Sequence, residues 1–165
     1  MSAVPAPVTA WIGLGANLGD ARETVLAAAR AIAAWDEGAG MRLSPLYRSA
    51  PIDAGGPDFF NAVAAIDTRL SPEAVLDKLQ ALELAFGRER PYRNAPRTLD
   101  LDLLLHGQTR LDTPRLTLPH QRLHLRAFVL RPLLDLDPTL SLPGLGAAAD
   151  HLPAVSDQDI HRCST

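Results

Sequence analysis

The stretch Arg97–Gly107, RTLDLDLLLHG, limits what this chain can become more than any other segment. Asp100 and Asp102 alternate there with Leu99, Leu101 and Leu103, and Leu104 and Leu105 follow. On a strand, residues two apart point to one face and lie roughly 6.5–7 Å apart along the chain. The spacing therefore predicts a strand over 98–105 with its leucines in the core and both aspartates on the opposite face. Two adjacent carboxylates repel, and burial pushes one of them toward protonation unless a cation compensates. Magnesium suits such a pair, being a hard ion held by one or two carboxylates together with substrate phosphates. Two such ions about 4 Å apart are clamped by paired carboxylates and a polyphosphate in two-metal sites. A bare D-x-D is equally compatible with the solvated face of an edge strand, so the flanking residues decide.

Directly upstream, RERPYRNAPR (88–97) carries four arginines and one glutamate. Guanidinium groups chelate phosphate oxygens in a fork geometry. An arginine cluster that only neutralised Asp100 and Asp102 would be larger than needed, so phosphoryl or pyrophosphoryl transfer is the leading chemistry. The basic loop is local: net charge over the 165 residues is −3, which gives no reason to expect nucleic acid. No apolar run reaches the ~20 residues of a membrane span, and MSAVPAPVTA lacks the basic start of a signal peptide. Cys163 is the sole cysteine, so no internal disulfide or thiolate metal site is available. These features point to a cytoplasmic protein.

The length suits one domain over 1–165, with flexible tails at 1–7 and about 152–165. VTAWIGLG (8–15) has a strand composition, and Val25, Leu26, Ala29, Ile32 and Ala33 recur at helical spacing after it. MRLSPLYRS is extended, with Pro45 confining it to an edge or a bulge. APIDAGGPD is a loop, and FFNAVAAIDTRL a strand. Ser71-Pro72 starts a helix bearing Val75, Leu76, Leu79, Leu82 and Phe86, with Gly87 as its stop. After the acidic strand come a turn, a proline-interrupted stretch that reads as loop, and a helix over AFVLRPLLDLD kinked at Pro132. The order predicts the α+β class: a ferredoxin-like βαββαβ core with an antiparallel sheet and helices on its faces.

GLGANLG (13–19) sits where a dinucleotide fingerprint belongs, but its spacing is G-x-G-x-x-x-G and the alternation of a Rossmann half does not follow. It reads as a tight turn with Asn17 or Asp20 capping the next helix. The chain holds no G-x-x-x-x-G-K-[ST], so ATP, if bound, is not bound by a P-loop. His120 and His124 have helical zinc spacing, yet Pro119 argues against a helix and no third ligand is near in sequence. His120, close to Arg115, Arg122 and Arg126, is better placed for phosphate. His106, His151 and His161 read as surface residues. Phe59, Phe60 and Phe128 fit a core or a stack on a flat heterocycle, and Asn61 shares a strand face with Phe59.

The segments WIGLGANLGD, SPLYRSAPI, DFFNAVAAI, GRERPYRNAPRTLDLDLLL and LTLPHQRLHLRAFVLRPLLDLDP together resemble the 6-hydroxymethyl-7,8-dihydropterin pyrophosphokinases of folate biosynthesis. The resemblance runs from about Trp11 to Pro138. It implies a ferredoxin-like fold and transfer of pyrophosphate from ATP to the pterin's hydroxymethyl oxygen, with release of AMP. It further implies two Mg2+ ions on Asp100 and Asp102, and catalytic roles for these aspartates with Arg88 and Arg97. ATP would meet Gln80, Arg88, Arg97, Leu103, Arg115, His120 and Arg126. The pterin would lie between Phe59 and Phe128, hydrogen-bonded by Asn61 and bordered by Ser49 and Ile52. The partners implied are ATP and the hydroxymethyl dihydropterin, bound by a monomer without nucleic acid or membrane.

The chain departs from the family's usual pattern at several places. Asn94 and Ala95 stand where the loop before the PRT motif usually has tryptophan and glycine, and Tyr92 is the nearest aromatic. Phe59, Pro91 and Gln121 replace a common tyrosine, a lysine of some members and a frequent tyrosine. The alternative these departures suggest is a weakly active or inactive nucleotide- and pterin-binding module.

Overall fold

The computed structural model describes residues 6–50, 56–87 and 99–163. The chain forms β1 (Val8–Ala16), α1 (Ala21–Ala33), β2 (Arg42–Leu43), β3 (Tyr47–Ser49), β4 (Phe59–Thr68), α2 (Pro72–Gly87) and β5 (Asp100–His106). A short hairpin of β6 (Leu111–Asp112) and β7 (Thr117–Leu118) precedes α3 (Ala127–Leu136). A second small hairpin, β8 (Ser141–Leu142) with β9 (Gly146–Ala147), and β10 (Ile160–Arg162) complete the described chain.

The main sheet is antiparallel in the order β10-β3-β4-β1-β5, with β2 also on β4. β1 and β4, nine and ten residues long, lie at its centre. The expected α+β antiparallel core is present, with helices on both faces. α1 and α2 cover one face, where Ile12, Leu14, Ala64, Ile66, Leu101 and Leu103 meet Val25, Ile32, Val75 and Leu79. α3 covers the other, packing Val129, Leu130 and Leu133 against Trp11, Val63, Ala65, Leu104 and Leu105. The residues of β1 divide by parity between the two clusters, as a two-residue period requires.

Local chemistry explains the element ends. The Asp20 carboxylate accepts from the Glu23 amide at 3.3 Å and caps α1, and Ser71 Oγ accepts from the Ala74 amide at 3.1 Å at the start of α2. Pro45 lies in the break between β2 and β3. There the Ser44 hydroxyl accepts from the Val63 amide at 2.9 Å, where a regular ladder would have supplied a backbone group. Pro132 is inside α3, which continues through it.

Five expectations need correction. Gly13 and Gly15 are strand residues, because β1 runs on to Ala16; only Gly19, at φ 59°, makes the turn. The stretch after β5 holds the β6–β7 hairpin, whose two-residue strands are too short to leave a periodic signal. His106 is buried, with Nε2 donating to the Leu70 carbonyl at 2.8 Å, because β5 ends beneath the start of α2. His151 is half-buried and donates to the Leu145 carbonyl at 2.9 Å. Residues 152–163 are not a loose tail: Ile160, His161 and Arg162 pair with Ser49, Arg48 and Tyr47, placing β10 on the sheet edge. The tail's polar composition hid this, since an edge strand has one exposed side. Arg162 also bonds Asp135 of α3 at 3.0 Å, and the buried Tyr47 hydroxyl donates to the same carboxylate. Burial first, and then Asp135, push the Tyr47 phenol above its ordinary pKa, with Arg162 opposing.

Candidate active site

The alternation predicted for the acidic strand holds where it matters. Leu99, Leu101 and Leu103 enter the core beside α1 and α2. Asp100 and Asp102 share the opposite face, with Asp100 exposed and Asp102 half-buried. Beyond them the pairing with β1 shifts: Ile12 opposes Leu103 while Trp11 opposes Leu105. The extra residue, Leu104, joins the cluster under α3, so the LLL run is a bulge rather than a continued alternation. On the outer edge of β5 the Glu83 carboxylate of α2 accepts from the Leu101 amide at 2.9 Å, pinning the strand between the two acids.

The register explains the open space beside the acids. Asp100 faces Gly15, which faces Asn61; Asp102 faces Gly13, which faces Val63. The residues between the acids and Asn61 thus have no side chains, and the floor of a cavity of about 500 Å3 lies there. A Cβ on Gly15 would stand 2.9 Å from Asn61 Nδ2, too close without displacing the amide. Asn61 is buried and its Oδ1 accepts from the Ser49 hydroxyl at 2.9 Å, which orients the amide. Phe59 and Phe128 line the same cavity, as does Asp100. Two aromatic rings and a fixed amide beside a chamber of this size suit a flat heterocycle.

A second cavity of about 680 Å3 opens on the other side of Asp102. Arg115 and Leu103 line it, together with Thr113 and Thr117 of the β6–β7 hairpin. Leu103 itself is only 2% exposed, its side chain being in the core, so it borders this cavity at the strand. Arg115 pairs with Asp77 and donates to Gln80 Oε1 at 3.3 Å, which ties Gln80 to this cavity without making it a wall.

Asp102, His120, Arg122 and Arg126 line both cavities. His120 Nε2 lies 3.9 Å from Asp102 Oδ1, and its Nδ1 accepts from the Arg122 amide at 3.2 Å. Burial holds the His120 pKa below the ordinary value; Asp102 opposes this, and Arg126 and Arg122 reinforce it. The imidazole is therefore neutral near pH 7, with Nε2 as its donor. Burial, and then the charge of Arg122, also lower the Arg126 pKa, against Asp102. The Arg126 guanidinium lies 5.4 Å from the centre of the Phe128 ring, linking phosphate-type and aromatic walls.

Among the expected site residues, Ser49, Phe59, Asn61, Phe128, Asp100, Asp102, His120, Arg126, Arg115 and Leu103 all border one or both cavities. Ile52, Arg88 and Arg97 lie outside the described residues, as do Pro91, Tyr92, Asn94 and Ala95. Among the described residues no group of three or more His, Cys, Asp or Glu is placed to hold a metal, and the His124 ring meets that of His151 edge-on at 5.2 Å. Gln158 and the two strand glycines border the site without having been expected there, and Arg122 was expected only as a neighbour of His120. The basic RLHLR run signalled Arg122, whereas nothing local marked Gln158.

Residues 11–138 match the family model described as 7,8-dihydro-6-hydroxymethylpterin-pyrophosphokinase. A 2-amino-4-hydroxy-6-hydroxymethyldihydropteridine pyrophosphokinase of Pseudomonas aeruginosa is 49% identical over 144 residues, covering 87% of this chain and 86% of that protein. The protein of the same description from Haemophilus influenzae is 43% identical over 137 residues, covering 82% and 86%. A crystal structure described as HPPK-DHPS in complex with substrates superposes with a TM-score of 0.70 over 91% of this chain and 43% of that one. At 12% identity, that likeness concerns the fold.

Proposed function

The chain belongs to the 7,8-dihydro-6-hydroxymethylpterin-pyrophosphokinase family, and on that premise we propose that it moves the pyrophosphoryl group of Mg-ATP onto 6-hydroxymethyl-7,8-dihydropterin, releasing AMP, in folate synthesis. The observation that carries the proposal is the shared wall of the two cavities. A transfer reaction needs two substrates meeting at one polar boundary, and Asp102, His120, Arg122 and Arg126 form one. The dihydropterin takes the chamber with Phe59, Asn61 and Phe128; the triphosphate takes the chamber with Arg115 and Thr117.

Two carboxylates on one strand face fit a hard divalent ion whose remaining ligands are phosphate oxygens and water. Asp100 and Asp102 would hold two Mg2+ ions, which neutralise phosphate charge when bound. In the reaction the pterin hydroxyl oxygen bonds to the β-phosphorus, and the bond from that phosphorus to the α–β bridging oxygen breaks. The electron pair leaves with AMP, and the hydroxyl proton passes to an aspartate or water. Arg126 and Arg122 face the phosphates as this charge develops, with Arg115 toward the nucleotide and Arg88 and Arg97 from the preceding segment. Neutral His120 donates from Nε2. Such catalysis is mostly positioning and electrostatic stabilisation. The protein acts as a monomer in the cytoplasm on small-molecule substrates.

Purified protein given Mg-ATP and the hydroxymethyl dihydropterin should form AMP and pyrophosphorylated pterin in equal amounts. Formation of ADP, or binding of both substrates without turnover, refutes the proposal; the latter result marks an inactive binding module.

A further inference from the structure

Helix α3 carries two walls of the candidate site, Arg126 at its N-cap and Phe128 one residue into it. The first N–H groups of a helix lack intrahelical partners, and an N-cap side chain usually supplies one. Arg126 is a donor, its side chain makes no cap, and its guanidinium is turned toward Phe128. The missing acceptor comes from the far end of the chain. Gln158 Oε1 accepts from the Ala127 amide at 2.8 Å, and Gln158 Nε2 donates to the Leu125 carbonyl at 2.9 Å. The two ends of one amide thus bracket Arg126, and Gln158 itself lines the heterocycle cavity.

Gln158 is in turn anchored. Its amide donates to the Val155 carbonyl at 3.1 Å, and the Ala50 amide donates to the Asp159 carbonyl at 3.4 Å. Two residues further on, β10 pairs with β3, which carries Ser49. The segment from 158 to 162 therefore joins two walls of one cavity: the start of α3 and the end of β3.

We propose that Gln158 is a positioning residue that sets Arg126 and Phe128 against the dihydropterin by capping α3 from outside the helix. The role deepens the pyrophosphokinase reading and rests on it for its substrate. Gln158→Met keeps the side chain's length and removes both hydrogen bonds, whereas Gln158→Glu keeps the acceptor facing the Ala127 amide. The expected result is a KM for dihydropterin about tenfold higher in Gln158→Met, a smaller rise in the KM for ATP, and recovery to within about threefold of the parent in Gln158→Glu. Both KM values staying within twofold while only the melting temperature falls would overturn the proposal, as would equal losses in the two variants. Should Gln158→Met fail to fold, Gln158→Leu, which also removes both hydrogen bonds, takes its place under the same criteria. Deuterium exchange of the Ala127 amide in ligand-free protein reads the brace without turnover, and should be at least tenfold faster in Gln158→Met. Slow parental exchange in a protein that makes no AMP faults the pyrophosphokinase reading alone; AMP production with unchanged Ala127 exchange faults the brace alone.

Discussion

The two faces of the central sheet are built by the same strands and filled in opposite ways. On the side of α1 and α2, β1 contributes Ala10, Ile12, Leu14 and Ala16, and β5 contributes Leu101 and Leu103, all closely buried. On the side of α3, the intervening positions of β1 are Trp11, Gly13 and Gly15, and those of β5 are Asp100 and Asp102. Trp11 and Leu105 close the core at one end of that face, while the glycines leave the other end hollow. One face spends its alternate residues on stability and the other withholds side chains to make room for a ligand. Neighbouring residues in one strand should therefore fail in different ways.

The largest expected effect is on the hollow face. Asp102→Ala should lower kcat for AMP formation by about a thousandfold, the upper range for loss of one charge-stabilising group, while circular dichroism stays that of the parent. An unfolded variant would instead place Asp102 among the structural residues. One residue earlier, Leu101→Ala should cost about 3 kcal/mol of unfolding free energy by denaturant titration, with both KM values nearly unchanged. A large KM change there would break the division between faces. Gly15→Ala should raise the dihydropterin KM about tenfold, equivalent to about 1.4 kcal/mol, because its Cβ would displace the Asn61 amide. An unchanged KM would show that Asn61 is not held by that contact.

The smallest effect concerns the Tyr47 phenol, whose pKa burial and Asp135 raise. The unfolded chain loses this proton near pH 10 and the folded one only at higher pH, so stability present below pH 10 declines as pH rises above it. Tyr47→Phe should flatten that alkaline decline. Chemical denaturation on either side of pH 10 checks it, and parallel slopes in parent and variant would assign the decline to other groups.

The hollow face was legible in the sequence only where its chemistry interrupts a strand pattern. Acids in a leucine strand cannot be core, so Asp100 and Asp102 announced a shared face, and the arginines nearby suggested phosphate. Glycine carries no such direction. Gly13 and Gly15 fitted both the end of the first strand and the start of a turn, and their place beside Asn61 and Val63 comes from pairing between strands far apart in sequence. Gln158 was invisible for the same reason, since its partners lie 31 and 33 residues away. His106 looked like a turn residue because its burial depends on the Leu70 carbonyl, 36 residues earlier. The family resemblance, by contrast, already named ten of the residues that border the cavities, and it did so through ordered motifs rather than through any one of them.

Among the described residues the acidic strand is also the outermost strand of its sheet, since β5 pairs there with β1 alone. An open strand edge offers unpaired amide and carbonyl groups to any other extended chain, and proteins commonly guard such edges with charge. Here Glu83 occupies the Leu101 amide and the His120 amide takes the Leu104 carbonyl at 2.9 Å, with Asp102 between those two points and Asp100 just before them. A protein stripped of both aspartates would lose more than turnover: its sheet would present a leucine-rich rim with two fewer charges, and self-association at high concentration would follow from the same two substitutions.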